Sequence, residues 1–338
     1  MCVFLVLMLL EIHYKQKRIS SVSDIDYSSP FFIVGAVRSG TTMLRLMLGH
    51  HPKICRCDEM EYLTPPIAEL GKIPNDMAKY RKYLATEMSF RVAGYAIPEK
   101  TSYLETINDL FDQLIKKDGK PIFGGTVHHY YENMPLVWPK AKFVYLSRDP
   151  RNVARSSVKM GWAGTAWRGA LIWIDAYESW QKLKGQLPAE QKIEVKFEEL
   201  VADPEKVLST ICNFLAVEYT PEMLEIDKDT TYSKPSPRAA QSWLAASARK
   251  DVRQVEARVG ARLMEAGYEA SGLPPLNAGK LARTVMAMQD FFIRIRTGVK
   301  YYGLSLWVAL IVARRTPNSD FAKRTFKKVQ EIHMQRHK

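Results

Sequence analysis

Cysteine and long apolar segments are both scarce in this sequence. Its 338 residues include 4 cysteines, too few for the disulfide framework of a small secreted protein, and this favours a reducing compartment. The apolar run at residues 1–10 would form a helix of about 15 Å, half the thickness of a bilayer core. No basic residue precedes that run, whereas a secretory signal begins with basic residues. We therefore expect neither a polytopic membrane protein nor a secretory leader, and predict that residues 1–29 form an apolar and basic lead segment.

Acidic residues are scarce at the other end of the chain. The net charge is +13, and the residues from 281 onward hold 12 Lys and Arg against 3 Asp and Glu, which accounts for +9 of it. Apolar residues recur there at helical spacing: Leu281, Val285, Met288 and Phe292. Residues 276–338 are therefore predicted to be a basic amphipathic helical tail. It would contact a membrane surface peripherally, and the alternative is packing on the main domain or on a second copy of the chain as a homodimer. No base-stacking or groove-reading motif accompanies the charge, so nucleic acid is not an expected partner.

Short β-branched and aromatic runs alternate with helical stretches between residues 30 and 275. The predicted strands are Phe31–Val34, Pro121–Phe123, Lys142–Ser147 and Ile193–Phe197. The predicted helices are Gly40–His50, Pro150–Met160, Ala166–Leu183 and Pro204–Leu215, with Asp203 as the cap of the last one. Thr230–Pro237 is predicted as a loop, and Gly272–Asn277, with its Pro-Pro pair, as a domain boundary. The pattern is typical of a three-layer α/β fold with a central parallel sheet.

The most informative segment is residues 31–42. An apolar strand leads into a loop bounded by Gly35 and Gly40 and then into a helix, which points backbone N–H groups and the positive helix end at one anion. The loop is similar to a nucleotide-binding P-loop, but Thr41 stands where a triphosphatase needs Lys. The missing Lys argues against ATP or GTP hydrolysis, so a nucleotide-dependent small-molecule kinase is only the alternative function.

Three segments resemble one family. Residues 34–52 resemble the 5′-phosphosulfate loop of sulfotransferases that use 3′-phosphoadenosine 5′-phosphosulfate (PAPS), in the Arg-Ser-Gly-Thr-Thr form of protein-tyrosine and many bacterial members. Residues 142–156 are similar to the family's 3′-phosphate motif, an Arg at a strand end and a Ser eight residues later, here Arg148 and Ser156. Residues 195–208 are similar to a recurrent strand and capped helix of the family. The resemblance implies a P-loop NTPase-like sulfotransferase domain over residues 30–275, with PAPS as co-substrate and no metal.

The same resemblance assigns roles to residues of both phosphate motifs. Contacts to the donor would come from Arg38, Ser39, Gly40, Thr41, Thr42, Arg148 and Ser156. Arg38 would also neutralise charge on the leaving phosphate during transfer. A surface salt bridge between Arg148 and Asp149 is the alternative to a role in phosphate binding.

A general base is implied by a further match to the protein-tyrosine branch. The spacing from His51-Pro52 to the acidic cluster implies Glu59 as the catalytic base, with Asp58 as the second candidate. The alternative is that Asp58, Glu59 and Glu61 form a solvated turn.

One feature of the family is missing. Many members carry a Lys near the second strand that polarises the transferring group, and Gly125 stands where that Lys is expected. We predict that His128 takes over this catalytic role. The alternatives are that His129 does so, that a Lys comes from elsewhere in the chain, that the activity is weak, or that the two histidines serve packing and hydrogen bonding.

The resemblance therefore predicts transfer of a sulfuryl group to a hydroxyl of a carbohydrate, lipid or other small molecule. A non-catalytic nucleotide-binding relative docked to a membrane is a further alternative. We expect a cytoplasmic protein that is peripheral on a membrane, or a Golgi-type lumenal one if the N-terminal run is a truncated anchor. Three tryptophans could belong either to the core or to a wall that stacks on a sugar: Trp162, Trp167 and Trp173.

Overall fold

The computed structural model describes residues 25–226, 240, 242–316 and 319–336. These residues include four strands, β1 Phe31–Val34, β2 Gly124–Val127, β3 Lys142–Ser147 and β4 Lys192–Lys196. The strands are all parallel and lie in the order β2-β1-β3-β4. Most of the predicted lead segment and the predicted loop Thr230–Pro237 fall outside the described residues.

Helices connect the strands and follow them. Five lie between β1 and β2: α1 Thr41–Gly49, α2 Pro65–Leu70, α3 Met77–Thr86, α4 Met88–Ala93 and α5 Tyr103–Asp118. Between β3 and β4 lie α6 Pro150–Lys159 and α7 Ala166–Gln186. After β4 come α8 Phe197–Ala202, α9 Pro204–Phe214, α10 Arg249–Val259, α11 Arg262–Glu265, α12 Lys280–Arg315 and α13 Asp320–Arg336. The four predicted helices correspond to α1, α6, α7 and α9 and are confirmed, as is the cap, since the Asp203 side chain accepts from the Lys206 N–H at 3.1 Å.

The sheet is covered on both faces, which confirms the three-layer fold. Side chains alternate along a strand, so Phe32 and Val34 join a core cluster that includes Phe111 of α5. Phe31 and Ile33 join another on the opposite face, with residues of α1 and α9. Because both faces of β1 are buried, its sequence is a continuous apolar run rather than an alternating one.

The prediction of the second strand at Pro121–Phe123 is wrong, because β2 begins at Gly124. Glycine has a low propensity for strands, and β2 contains two glycines. However, a Cβ atom at Gly124 would lie 1.7 Å from the carbonyl oxygen of Phe31. The close pairing of β2 with β1 therefore requires glycine at a position where propensity argues against a strand. At β4 the difference is one residue, since Phe197 opens α8 instead of ending the strand.

The predicted C-terminal helical extension is confirmed, and its helix α12 forms two arms. Helix α12 is interrupted at Gly303, whose backbone is not helical (φ 74°, ψ 158°). Trp307 packs against Gly298, because a Cβ at Gly298 would lie 2.4 Å from Cδ1 of Trp307. The chain therefore folds back on itself at Gly303. We call residues 280–302 the first arm and residues 304–315 the second arm.

The first arm packs against the loop between α6 and α7. The Gly164 N–H donates to the Asp290 carboxylate at 2.7 Å, and a Cβ at Gly161 would lie 2.7 Å from Cγ2 of Thr297. Among the residues the structure describes, no helix is both long enough and apolar enough to cross a membrane. The boundary of the tail at residue 276 stays a prediction.

Candidate active site

The loop between β1 and α1 is enclosed so closely that its two glycines are required. Gly35 has φ 149° and Gly40 has φ 101°, in the region that favours glycine. A Cβ at Gly35 would lie 2.4 Å from the carbonyl oxygen of Leu146, and one at Gly40 would lie 2.3 Å from a ring carbon of Phe197. Both backbone conformation and space therefore exclude a side chain at these positions.

The N-terminus of α1 opens from this loop. Its N-cap is Gly40, which supplies no side-chain cap, so the first N–H groups of the helix are left for another acceptor. The Ser39 hydroxyl donates to the carbonyl oxygen of Ala36 at 2.6 Å and is buried, so it braces the loop from inside. Thr41 is buried as well, whereas Thr42 is half-buried. The helix end, Gly40 and Thr42 therefore form the more accessible part of the predicted 5′-phosphosulfate loop.

Arg38 connects the two predicted phosphate motifs. Its Nε donates to Oγ of Ser156 at 3.0 Å, and its carbonyl oxygen accepts from a guanidinium N–H of Arg148 at 3.0 Å. Its backbone is left-handed, with φ 73°, which is uncommon for a residue other than glycine. The Arg38 guanidinium also lies 5.6 Å from the ring centre of Trp162. Two segments that are distant in sequence, the loop after β1 and residues 148–162, thus meet at the carboxyl edge of the sheet, where open α/β sheets bind ligands.

Arg148 is half-buried at the end of β3 and lies 4.1 Å above the ring of Phe197. Burial lowers the pKa of its guanidinium, and the nearby Glu198 carboxylate opposes that shift. Asp149 is held by Arg151 at 2.6 Å. Arg148 itself donates to the carbonyl oxygen of Arg38 at 3.0 Å, so it is held against the loop after β1.

Glu59 lies on an extended segment that continues the sheet beyond β2. Its backbone forms a parallel β-bridge with Thr126, and the Thr126 N–H donates to the Asp58 carbonyl oxygen at 2.9 Å. Asp58 and Glu59 are thus paired with a strand, whereas Glu61 lies in the turn that follows. The Glu59 side chain is exposed and makes no hydrogen bond or ion pair within the described residues, whereas the Asp58 carboxylate lies 3.7 Å from the Arg45 guanidinium. Of these two carboxylates, only that of Asp58 has a charged partner among the described residues.

Glu61 has a role that the sequence did not suggest. One of its carboxylate oxygens accepts from the backbone N–H of His128, and the other lies 2.9 Å from Nδ1 of His129. This bond raises the pKa of His129, and the Asp175 carboxylate adds to the effect while burial opposes it. No local signal marks Glu61, because the contact depends on the parallel pairing between residues 58–60 and β2.

His128 occupies the carboxyl end of β2. Its side chain is buried, and Nδ1 lies 2.9 Å from the carbonyl oxygen of Gly35. A carbonyl oxygen only accepts, so Nδ1 donates and Nε2 is left to interact elsewhere. Gly125, by contrast, lies within the strand opposite Phe32, and a Cβ there would lie 2.5 Å from Sδ of Met60. The side chain that contacts the loop after β1 therefore comes from His128, the residue that follows β2, and not from position 125.

The three tryptophans separate into two groups. Trp167 and Trp173 are buried, whereas Trp162 is 41% exposed and lies beside Arg38. Of the three, Trp162 alone is free to meet a ligand at this edge.

Comparison with known proteins assigns the family. A family model described as Sulfotransferase family matches residues 30–221. Protein-tyrosine sulfotransferase A of Caenorhabditis elegans is 26% identical over 294 residues, which cover 76% of this chain and 72% of that protein. Protein-tyrosine sulfotransferase 1 of Danio rerio is 25% identical over 280 residues, covering 72% of this chain and 73% of that one.

Solved structures agree on the fold. The sulfotransferase domain of the Synechococcus PCC 7002 olefin synthase is 20% identical with a TM-score of 0.51, and the comparison covers 76% of this chain and 99% of that domain. The sulfotransferase domain of the curacin biosynthetic pathway is 18% identical with a TM-score of 0.50, covering 73% and 99%. The parallel sheet, the match over more than half of the chain and the similarity to these relatives lead to one conclusion: the chain is an enzyme of the sulfotransferase family.

Proposed function

We propose that this sulfotransferase moves the sulfuryl group of PAPS to a hydroxyl acceptor. The observation that supports the proposal is the pair of bonds through which Arg38 joins Ser156 and Arg148. These bonds bring the loop after β1 and the loop after β3 together, and the two strands are neighbours in the sheet. Adjacent strand ends that each carry a cation suit a donor with two separate anionic groups.

The residues of the two loops fit that donor. The phosphosulfate would meet the open end of α1, through Gly40, Thr42 and the backbone of Thr41. The 3′-phosphate would meet the guanidinium of Arg148 and the hydroxyl of Ser156, whose oxygen accepts from Arg38 and whose hydrogen can still be donated. Ser39 would act mainly by holding the loop in shape and through its backbone.

Positioning and charge neutralisation would supply most of the rate. Sulfuryl transfer resembles phosphoryl transfer through a loose transition state, so the enzyme has to align the two substrates and stabilise the leaving phosphate. Arg38 lies between the two loops and is placed for the second task. Glu59 would remove the proton of the acceptor hydroxyl, because its carboxylate is exposed and carries no bond to another described residue.

His128 would take the place of the Lys that many family members carry. Its Nδ1 is bonded to Gly35, the first residue of the phosphosulfate loop, so the ring orientation is fixed by the same loop that would bind the donor. The other nitrogen, Nε2, is left to donate to the transferring group when the ring is protonated.

The acceptor would be a hydroxyl of a carbohydrate, a lipid or another small molecule. The relatives named protein-tyrosine sulfotransferases add a tyrosine phenol to these candidates. Trp162 would contact the acceptor, because its side chain is exposed and lies beside Arg38.

We also propose that the tail contacts a membrane surface. The first arm exposes large apolar side chains: Leu281, Val285, Met288, Phe291 and Phe292. The tail as a whole carries a charge of +9 from residue 281 onward. An apolar face on a strongly basic helix suits an anionic lipid surface.

Radiolabelled sulfate transfer from PAPS to extracted cell components, separated into lipid, glycan and protein fractions, tests the activity and names the acceptor class. We expect label in one fraction and none with Arg148→Ala. Phosphate transfer from ATP with magnesium, without sulfate transfer, would instead identify a kinase. Binding of adenosine 3′,5′-bisphosphate without any transfer would identify a non-catalytic relative.

A further inference from the structure

A basic cavity lies between the first arm, the start of α7 and α10. Its volume is about 560 Å³, within the range of small-molecule sites. Four arginines from these three helices are among the residues that line it: Arg168, Arg258, Arg283 and Arg294. Among the described residues that line it, none belongs to either predicted phosphate motif. The cavity is therefore distinct from the predicted donor site.

The cavity lies on the side of the first arm that packs against the sulfotransferase domain. At about 3.6 residues per turn, four of its lining residues share one side of the helix: Arg283, Ala287, Asp290 and Arg294. The Asp290 carboxylate accepts from the Gly164 N–H at 2.7 Å, which holds this side against the loop before α7. Three exposed apolar residues fall on the opposite side: Val285, Met288 and Phe292. The surface proposed to contact a membrane is therefore separate from the cavity.

Acidic groups balance the arginines only in part. Asp290 forms an ion pair with Arg294 at 2.9 Å, and the Asp175 carboxylate acts on Arg258 without forming an ion pair. Within the described residues, no carboxylate forms an ion pair with the other three arginines. The first turn of α12 contains no acidic residue, although the N-terminal end of a helix favours negative charge. The cavity therefore has an excess of positive charge.

The positive charges come from both sides of the interface between the first arm and the domain. Arg168 and Arg258 belong to the domain, and Arg283 and Arg294 belong to the arm. The Arg258 guanidinium lies 4.6 Å from the ring centre of Trp167. Burial first, and then the positive charges of Arg168 and Arg283, lower the pKa of Arg258. Because Arg283 acts on Arg258 across the interface, the two repel each other, and an anion between them would remove that repulsion.

We propose that this cavity binds a phosphate or sulfate group and that the bound anion holds the first arm against the domain. Guanidinium groups bind such oxygens through paired N–H donors, and the cavity offers these donors from both sides of the interface. The group is either a free ion or part of a small organic molecule, since Met286 and Phe291 add apolar lining beside the arginines. The inference goes beyond the proposed sulfotransferase activity and does not depend on it.

Isothermal titration of the full-length protein with inorganic phosphate tests the site. Saturating adenosine 3′,5′-bisphosphate fills the predicted donor site, and sodium chloride keeps the ionic strength constant. The test variant is Arg168→Gln/Arg283→Gln, which removes one exposed arginine from each side of the cavity. The matched control is Lys182→Gln/Arg296→Gln, which removes one exposed charge from each of the same two helices outside the cavity.

We expect the affinity for phosphate to fall at least about tenfold in the test variant and to stay at the wild-type value in the control. The absence of phosphate binding by the wild type would overturn the proposal. So would an equal fall in both variants, because general attraction counts charges and not their positions.

Hydrogen exchange tests the effect on the first arm. Phosphate should slow the exchange of backbone amides in residues 280–302 in the wild type and the control, and should leave the test variant unchanged. Sodium chloride at the same ionic strength should have a much smaller effect, since screening needs no specific site. Equal protection by the two salts would contradict the proposed role of the anion.

Phenyl phosphate distinguishes the two sources of the anionic group. Tighter binding than that of inorganic phosphate, with the difference lost in Phe291→Ala, would identify a small organic ligand. Equal affinities would identify a free ion. Arg168→Gln/Arg283→Gln should bind adenosine 3′,5′-bisphosphate as tightly as the wild type, so failure of the cavity site is distinguished from failure of the proposed sulfotransferase activity.

Discussion

The carbonyl oxygen of Arg38 accepts a hydrogen bond from the Arg148 guanidinium at 3.0 Å. Arg38 has a left-handed backbone, a conformation that costs free energy in a residue other than glycine and needs support from its surroundings. Arg148 supplies part of that support from the neighbouring strand. The second predicted phosphate motif therefore helps to shape the first predicted one, and a change at Arg148 should affect both.

Arg148→Ala should weaken binding of adenosine 3′,5′-bisphosphate by about 10- to 100-fold, because it removes a charge-assisted contact and the support of Arg38. Isothermal titration measures the change. Lys159→Ala is the matched control, since it removes an exposed positive charge from α6. Equal affinities in the wild type and Arg148→Ala would rule out the proposed 3′-phosphate site.

Glu59→Gln should reduce kcat for sulfate transfer by about 10²- to 10⁴-fold and leave the KM for the donor unchanged, because the amide cannot accept the acceptor proton. The side chain is exposed, so the fold should be unaffected. Glu99→Gln, at another exposed glutamate, should leave kcat at the wild-type value. Full activity in Glu59→Gln would assign the base to another residue.

Glu61→Gln should lower the pKa of His129, because the carboxylate that favours the imidazolium is gone. A raised folded-state pKa stabilises the fold below the ordinary pKa of histidine, and this contribution disappears as the pH rises through the raised value. The wild type should therefore exceed Glu61→Gln in unfolding free energy at pH 5 by no more than about 1 kcal/mol, since His129 is largely exposed. NMR titration of His129 and urea denaturation at pH 5 and pH 9 check both points. A difference in stability that is the same at both pH values would contradict the assignment.

Gly124→Ala should destabilise the fold by about 1–3 kcal/mol or more, because the new methyl group would meet the Phe31 carbonyl oxygen. Gly185→Ala is the control: it lies in α7 with nothing within 4 Å of the added Cβ, so it should be neutral or stabilise by up to about 1 kcal/mol. Thermal and urea unfolding measure both variants. A Gly124→Ala protein as stable as the wild type would show that β2 can move away from β1.

Local sequence was enough to predict the loop after β1. Its backbone conformation requires glycine at positions 35 and 40, and the short motif contains both glycines. They were also enough for the strand-to-helix junction at Arg148. The position of β2 was not predictable in this way, since Gly124 is fixed by contact with Phe31, a residue far away in sequence. The contacts of Glu61 with the two histidines depend on the same long-range pairing, and for that reason the sequence suggested only an acidic turn.

The loop that contains Trp162 contacts both the tail and the loop after β1. Its ring lies beside Arg38, while the adjoining Gly161 packs against Thr297 of the first arm. A ligand bound at the tail and a ligand bound beside Arg38 would therefore both act on the loop that contains Gly161 and Trp162. Thermodynamic linkage then makes the effect mutual: the factor by which vesicles change the affinity for the co-substrate equals the factor by which the co-substrate changes the affinity for vesicles. Tighter binding of the co-substrate on vesicles would therefore be matched by tighter binding to vesicles when the co-substrate is bound.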